Sequence, residues 1–152
     1  EYKDKKYIKR IEKNLFLVFT GIKRRAHFVE KKKIKNIDKN LVFLSKIKEI
    51  SKIADKKLKK KQNPDFIGDL LHKTWIQKKK LEKNVSNSKI DNLYKEGLKN
   101  GASGGKLLGA GAGGFMLFYV PKINQKKFIK KYKELIINFS FTYEGNKIFK
   151  IN

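Results

Sequence analysis

A glycine-rich segment over residues 101–114 constrains this chain more than any other feature. It holds seven of the eleven glycines, and an apolar run over residues 115–120 follows at once. Glycine at this density costs backbone entropy unless a loop needs positive φ angles or close approach to a ligand. Successive backbone N–H groups in such a loop can form a concave site for an anion, usually a phosphate. The segment therefore predicts a phosphate-binding loop.

The segment does not match a P-loop. That motif needs Gly-Lys followed by Ser or Thr at the start of a helix. Here Leu107 follows Lys106, and Asn100 stands where the first glycine of the motif should be. This template is therefore excluded.

The segment also does not match a dinucleotide-binding loop. Gly109, Gly111 and Gly114 satisfy G-x-G-x-x-G, but the Rossmann form of that motif opens a helix whose N-terminus faces a pyrophosphate. The β-branched and aromatic residues 115–120 end at Pro121, which is typical of a buried strand. The predicted local unit is therefore a strand, a glycine loop and a second strand.

Residues 104–115 resemble the third, C-terminal glycine motif of the GHMP kinases, the family of galactokinase and the homoserine, mevalonate and phosphomevalonate kinases. The similarity is greatest to the branch of D-glycero-D-manno-heptose 7-phosphate kinase and related sugar kinases. Residues 19–26, 70–79 and 90–94 also resemble that branch in order and spacing. Relatives often carry Gly at the position of Ala112.

The resemblance implies a fold, an activity and a missing partner. The fold is α+β, the ferredoxin-like C-terminal domain of a GHMP kinase with additional helices. The activity is transfer of a phosphoryl group from ATP to a sugar phosphate, D-glycero-D-manno-heptose 7-phosphate at its anomeric hydroxyl, for surface glycan precursors such as those of lipopolysaccharide. In the family, a second glycine loop in an N-terminal domain holds the nucleotide phosphates, and nothing here matches it. Residues 1–152 are therefore interpreted as the C-terminal half of a longer kinase, inactive alone, with ATP and Mg²⁺ bound mainly by the other half.

The same resemblance, together with phosphate chemistry, selects the candidate site residues. The loop itself would close over the substrate phosphate. Lys106 could offset phosphate charge, although a solvated surface lysine is an equal alternative. Thr20 and Arg24 match the branch at a strand-to-helix turn, and Arg24 could bind a phosphate in bidentate fashion or form an ordinary ion pair. No catalytic residue and no metal ligand is assigned. The loop residues are Gly109, Ala110, Gly111, Ala112, Gly113 and Gly114.

Composition narrows the class of protein. A length of 152 residues suits one domain with its own core. The chain has no cysteine, which excludes disulfides and thiolate metal sites. No apolar run approaches the roughly 18 residues of a membrane span, and no signal-peptide pattern is present. We expect a cytoplasmic location and no membrane partner.

The net charge of +25 suggests a nucleic-acid or anionic-surface partner. Only three of the 39 basic residues are arginine, however, and nucleic-acid readers usually use arginine for bidentate and stacking contacts. The 36 lysines are spread over every segment. They are interpreted as solvated surface lysines that also attract phosphorylated substrates over about 8–10 Å.

Hydrophobic periodicity predicts an α+β order of elements. The first half contains a central strand at 15–20, a helix after Gly21 with Ile22, Ala26 and Val29, a helix with Phe43, Ile47, Ile50, Ala54 and Leu58, and a helix after Pro64 with Ile67, Leu70, Leu71 and Trp75. The second half contains a linker and cap at residues 86–88, a helix near 89–99 ended by Asn100 and Gly101, and then the glycine loop. After the loop come a strand at 115–120, a helix capped by Asn124 with Phe128, Tyr132, Leu135 and Ile136, a half-buried strand with Phe139, Phe141 and Tyr143, and an edge strand at 148–151.

The other residues with reactive or ligand-binding side chains are interpreted as structural. Trp75 is expected in the core rather than as a platform for a sugar. His72 has one fellow histidine in the chain, so a histidine-rich metal site is not indicated. Asp65, Asp69 and Asp91 suit helix starts, where carboxylates are favoured.

Two alternatives to a kinase stay open. A non-catalytic phosphosugar-binding module, or a kinase remnant, would use the loop for binding alone. A nucleic-acid or anionic-surface binder would show a steep dependence of affinity on salt. The kinase interpretation is preferred because several motifs agree in register.

Overall fold

The computed structural model describes residues 4–23, 37–81 and 83–143. None of the helices in these ranges is long and apolar enough to cross a membrane. Short 3-10 turns lie at Lys83–Val85 and Lys122–Asn124. In chain order the main elements are α1 (Lys5–Glu12), β1 (Leu15–Phe19), α2 (Ile37–Lys59), α3 (Phe66–Leu81), α4 (Ser88–Lys99), β2 (Gly104–Leu107), β3 (Phe115–Tyr119), α5 (Gln125–Tyr132) and β4 (Ile136–Ile137).

The four strands form one antiparallel sheet in the order β2-β3-β1-β4. Strand β1 pairs with β3 from Leu15 opposite Tyr119 to Phe19 opposite Phe115, and with β4 on its other side. Its continuous apolar sequence is typical of such a central position. Helices α2, α3 and α4 precede β2, and α5 lies between β3 and β4. The predicted α+β class, with a ferredoxin-like sheet and additional helices, is confirmed.

Aromatic side chains form the centre of the core. The ring of Phe118 lies 5.4 Å from that of Phe128, 6.0 Å from Tyr94 and 6.3 Å from Tyr132, measured between centroids. Trp75 is fully buried, so its predicted core role is confirmed. Burial of one large apolar side chain stabilises the fold by about 1.5–3 kcal/mol. This core fixes α3, α4 and α5 against the sheet.

Two glycines let α3 approach strand β2 closely. A Cβ atom on Gly104 would overlap the carbonyl oxygen of Gly68, and one on Gly68 would overlap the Ser103 hydroxyl. Because a backbone carbonyl cannot move aside as a flexible side chain does, glycine is required at Gly104. The close approach brings the last turns of α3 beside the end of β2.

Several predicted helix boundaries are confirmed. Asn87 caps α4, its Oδ1 accepting a hydrogen bond from the backbone N–H of Ile90 at 3.0 Å. The helix ends at Lys99 with Asn100 as its C-cap, where the sequence predicts its end. Helix α3 follows Pro64 by two residues. The predicted apolar face of α2 is half-buried at Phe43, Ile47, Ile50, Ala54 and Leu58.

The predicted strand through Phe139, Phe141 and Tyr143 is wrong. The last described strand is Ile136–Ile137, and residues 138–143 have no regular structure. The backbone N–H of Phe141 donates to a carboxylate oxygen of Glu12 at 2.6 Å. The chain therefore leaves the sheet and bonds to α1, although its alternating pattern is that of a strand.

The predicted helix with Phe128, Tyr132, Leu135 and Ile136 is too long, although Asn124 is at its N-cap position as predicted. Helix α5 ends at Tyr132, so Leu135 and Ile136 lie beyond it. The side chain of Asn124 makes no cap bond and donates instead to the carbonyl of Gly101 at 3.1 Å. Ile22, predicted in a helix after Gly21, lies in a segment without regular structure. The predicted positions of Ala26 and Val29 and the edge strand at 148–151 lie outside the described residues.

The excess of lysine lies on the surface. Among the lysine side chains that the structure describes, none is buried, and those of Lys57, Lys78, Lys79 and Lys106 are half-buried. The ion pair between Lys73 and Asp69 is typical, since it joins residues four apart on one helix with both side chains more than half exposed. Such pairs contribute little to stability. This exposure agrees with the interpretation as solvated surface lysine.

Candidate phosphate-binding site

The glycine loop spans residues 109–114 and joins β2 to β3. Its backbone has positive φ at Gly109 (+65°), Gly111 (+108°), Ala112 (+58°) and Gly114 (+88°). Residues with a side chain rarely adopt such angles, whereas glycine does so freely. The predicted strand–loop–strand unit is thereby confirmed.

Contacts from distant parts of the chain hold the loop in place. Backbone N–H groups of Ala112 and Gly114 donate to the carbonyls of Val85 (2.7 Å) and Ile22 (3.0 Å). The Thr20 hydroxyl and the Thr20 backbone N–H both donate to the carbonyl of Gly114, at 2.8 and 2.9 Å. The loop is thus fixed by the end of β1 and by the 3-10 turn that precedes α4.

The loop residues other than Ala112, together with Leu108 and Phe115, line a concavity of about 200 Å³. Within the described part of the chain, the backbone N–H groups of Gly109, Ala110 and Gly113 have no hydrogen-bond partner. Unpartnered N–H groups on a concave backbone can bind phosphate oxygens. Phe115, 38% exposed, also lines the concavity and packs its ring against Phe19 at 5.4 Å between centroids. The lining could therefore hold a phosphate beside an apolar surface.

Packing and backbone conformation also explain why glycine occupies these loop positions. A Cβ on Gly111 would approach Val85 Cα to 3.0 Å, and one on Gly113 would approach the Ile22 side chain to 2.9 Å. No atom outside the neighbouring residues lies within 4 Å of a Cβ on Gly109 or Gly114, so these two serve the positive φ alone. Close packing therefore explains part of the glycine content, and backbone conformation explains the rest.

The structure brings one of the three predicted contacts, Thr20, to the loop. Thr20 is 4% exposed, and its hydroxyl is engaged with Gly114, so it braces the loop from behind. Lys106, on β2, lines a different, mainly apolar cavity between α1, α2 and α3. Arg24 lies outside the described residues. Their roles as substrate-phosphate contacts stay predictions.

Sequence reasoning missed one lysine at the loop and another beside the turn that follows β1. The Lys78 ammonium donates to the carbonyls of Leu107 (2.9 Å) and Gly109 (2.6 Å). The Lys89 ammonium lies against Gly21, 3.1 Å from the place that a Cβ there would take. A signal existed for Lys78: it lies three residues after the buried Trp75, so both share one face of α3.

His72 belongs to an aromatic pair rather than to a ligand set. Its Nδ1 lies 2.6 Å from the Tyr94 hydroxyl, and the two rings are stacked. Burial raises the pKa of Tyr94 to about 12, so that phenol keeps its proton at neutral pH. Nδ1 of His72 is therefore engaged with a neighbouring hydroxyl, and the ring takes part in aromatic packing.

The described carboxylates serve helices and packing. Asp91, in the first turn of α4, accepts bonds from Ser86 at 2.9 Å and from Lys79 at 3.2 Å. Asp65 accepts a bond from the Tyr119 hydroxyl at 2.9 Å. Across the described ranges, no three His, Asp or Glu side chains converge to hold a metal ion. These residues alone do not fit a Mg²⁺ site, and no step through the metal is derived.

Comparison with known proteins gives a consistent result. No model of a protein family matches the sequence. The chain is 36% identical over 146 residues to the D-glycero-alpha-D-manno-heptose 7-phosphate kinase of Campylobacter jejuni subsp. jejuni serotype O:2, covering 93% of this chain and 43% of that protein. It is 31% identical over 127 residues to the bifunctional fucokinase/GDP-fucose pyrophosphorylase of Arabidopsis thaliana, covering 82% of this chain and 12% of that protein.

A solved structure gives the same result for the fold. The mevalonate kinase of Methanococcus jannaschii superposes with a TM-score of 0.61 at 26% identity, covering 87% of this chain and 43% of that chain. The chain belongs to the GHMP kinase family. This GHMP kinase chain spans less than half the length of these relatives.

Proposed function

We propose that this chain is the C-terminal part of an ATP-dependent sugar kinase that phosphorylates D-glycero-D-manno-heptose 7-phosphate at its anomeric hydroxyl. The product would serve the synthesis of surface glycan precursors, and the enzyme would act in the cytoplasm. The observation that carries the proposal is the glycine loop, in which three residues that line a concavity have backbone N–H groups without a hydrogen-bond partner in the described part of the chain. The 36% identity to a heptose 7-phosphate kinase supports the choice of substrate.

The chemistry of the loop suits the binding of a phosphate. Phosphoryl transfer depends mainly on positioning and charge neutralisation, so a site needs N–H donors and cations around the phosphates. The loop offers the backbone N–H groups of Gly109, Ala110 and Gly113, while Lys78 places a positive charge beside Gly109. Phe115 offers an apolar surface for the carbon face of a sugar ring.

The proposed cofactors are ATP and Mg²⁺, bound mainly by an N-terminal domain joined to this one. ATP supplies the transferred phosphoryl group, and Mg²⁺ offsets its charge. The described residues would form the part of the active site that binds and orients the phosphate of the substrate, with the glycine loop as one wall of that site. The intact mass of the native protein tests the arrangement, because a polypeptide close to the 17.8 kDa of this chain would contradict it.

The proposed activity is tested by ADP release from the complete native polypeptide with ATP and Mg²⁺. The sugars to compare are D-glycero-D-manno-heptose 7-phosphate, the same heptose without phosphate, L-fucose and mevalonate. We expect turnover with the heptose 7-phosphate and at least about a tenfold lower kcat/KM for the unphosphorylated heptose, the equivalent of roughly 1.4 kcal/mol. Preference for fucose or mevalonate would replace the proposed substrate.

A matched pair of variants tests the loop itself. Ala110→Asp places a carboxylate in the lining of the concavity, whereas Ala110→Asn places a neutral side chain of the same shape there. Because like charges repel strongly near a phosphate, we expect kcat/KM to fall roughly 10- to 100-fold further in the aspartate variant. Equal effects would show that no phosphate binds at this loop. Binding of the heptose phosphate without ADP release would instead indicate a non-catalytic phosphosugar-binding module.

A further inference from the structure

Lys78 joins helix α3 to the beginning of the glycine loop. Its ammonium group bonds to the carbonyl oxygens of Leu107 and Gly109, the two residues that flank Leu108. The neighbouring lysines point elsewhere, since Lys79 bonds to Asp91 and Lys80 is exposed. One cation of this lysine-rich helix end is therefore directed at the loop.

The position of these two carbonyls gives the contact its importance. Leu107 is the last residue of β2, and Gly109 is the first residue of the loop with positive φ. A glycine there has many accessible backbone conformations. An ammonium that binds the carbonyls on both sides of Leu108 selects one of them, and hydrogen bonds to a charged donor are stronger than neutral ones.

We propose that Lys78 is a positioning residue of the phosphate-binding loop. It fixes the peptide planes that follow Leu107 and Gly109, so that the N–H group of Ala110, which shares its plane with the Gly109 carbonyl, stays available to a phosphate. The positive charge of its ammonium also offsets the partial negative charge of the two carbonyl oxygens, which would otherwise repel an anion in the concavity. Lys78 acts through the loop, and the inference rests on the proposed function for the identity of the ligand.

Hydrogen exchange in the 152-residue chain tests the positioning role without any assay of activity. In Lys78→Met, we expect the amides of Leu108, Ala112 and Gly114 to exchange at least about tenfold faster, because their bonds depend on a fixed loop. Lys80→Met is the matched control, since it removes the same charge from an exposed position on the same helix. Unchanged loop exchange in Lys78→Met would overturn the proposal.

A second measurement covers the case in which Lys78→Met does not fold. In the unmodified chain, ¹⁵N NMR of the lysine side chains should show the Lys78 ammonium protons exchanging more slowly than those of Lys80. Equal exchange at the two side chains would overturn the proposal. Lys78→Arg keeps the charge and its donors, so we expect loop exchange closer to that of the unmodified chain than to that of Lys78→Met.

Kinetics of the complete polypeptide then connect the contact to the ligand. We expect Lys78→Met to raise KM for the phosphorylated sugar about tenfold or more, with Lys80→Met within roughly twofold of the unmodified enzyme. An active enzyme unaffected by Lys78→Met would overturn the inference alone. An inactive enzyme whose loop exchange still responds to Lys78→Met would overturn the proposed function and leave the positioning role standing.

Discussion

The Tyr119 hydroxyl donates a hydrogen bond of 2.9 Å to Oδ1 of Asp65, 54 positions away in the sequence. The same hydroxyl accepts a bond from the Asn14 amide at 3.1 Å. These bonds tie the end of β3 to the start of α3 and to the turn before β1. They lie at the end of the β1–β3 pair opposite the glycine loop, since Tyr119 faces Leu15 and Phe115 faces Phe19.

Removal of the Tyr119 hydroxyl should destabilise the fold. Tyr119→Phe leaves a carboxylate and an amide without this partner in a partly buried place, which costs about 1–3 kcal/mol. Urea denaturation measures the loss. Tyr143→Phe is the control, because Tyr143 is more than half exposed and surface changes usually stay within about 0.5 kcal/mol. Equal stability of the two variants would contradict the role of the network.

Alkaline pH should destabilise the fold above pH 10. Burial raises the pKa of Tyr94 and of Tyr132 to about 12. The pKa of Tyr119 is raised as well, mainly by burial and to a smaller extent by the hydrogen bond to Asp65. The unfolded chain has the ordinary tyrosine pKa near 10, so folding favours the neutral phenols. This contribution is fully present below pH 10 and is lost as pH rises through about 12.

The free energy of unfolding between pH 8 and pH 12 measures this effect. Tyr94→Phe should flatten the decline between pH 10 and pH 12, because one of the linked groups is removed. Tyr143→Phe should leave the slope unchanged. A slope insensitive to Tyr94→Phe would show that other groups cause the alkaline loss.

Replacement of Ala112 by glycine should stabilise the chain. Ala112 has φ +58°, and the left-handed conformation costs a residue with a side chain roughly 1–2 kcal/mol. Glycine also has more conformational entropy in the unfolded chain, which lowers the free energy of unfolding by about 0.4–1 kcal/mol. A small net stabilisation is therefore expected. Ala110→Gly is the matched control: Ala110 does not have positive φ, so that variant should lose stability. The two changes in midpoint of urea denaturation should have opposite signs.

The hydroxyl of Thr20 should matter more than its shape. Thr20→Val removes the bond to the Gly114 carbonyl and should lower the free energy of unfolding by about 1 kcal/mol or more. Thr20→Ser keeps the hydroxyl and should retain the bond. Hydrogen exchange at Gly114 should accelerate in the valine variant only. Identical exchange in both variants would exclude the bracing role.

A methyl group at Gly104 should be far more harmful than one at Gly109. The Cβ at Gly104 would overlap the Gly68 carbonyl, so α3 and β2 would have to separate. Overpacking of this kind costs about 3 kcal/mol or more. Gly109→Ala meets no atom within 4 Å and should cost only the roughly 1–2 kcal/mol of its positive φ. Thermal denaturation of both variants, with the unmodified chain, checks the ranking.

Local signals in the sequence predicted most of the described fold. The apolar run of β1, the spacing of Phe43 to Leu58 along α2, and Asn87 before α4 each depend on neighbouring residues, which a sequence displays directly. The fourth strand was misplaced because the pattern of Phe139 and Phe141 fits a strand, while the deciding contact is with Glu12, more than a hundred residues away.

The strand–loop–strand form of the candidate site was predicted from the sequence, whereas the side chains that contact the loop were largely missed. The density of glycine at 109–114 is visible in any reading of the sequence. The partners of the loop are not, because Lys78 is one of 36 lysines and only its position after Trp75 distinguishes it. Lys106 adjoins the loop in sequence, yet it faces the cavity between α1, α2 and α3.

The bond between Thr20 and Gly114 spans 94 positions of the chain. A peptide comprising residues 104–119 would contain every glycine of the loop and both flanking strands, but it would lack Thr20, Ile22, Lys78 and Val85. Without these residues, the conformational entropy of so many glycines would keep the loop from adopting one conformation. The motif therefore cannot be grafted as a short segment: the conformation of the loop, and with it the proposed phosphate site, depends on the folded domain and forms only when distant segments have already met.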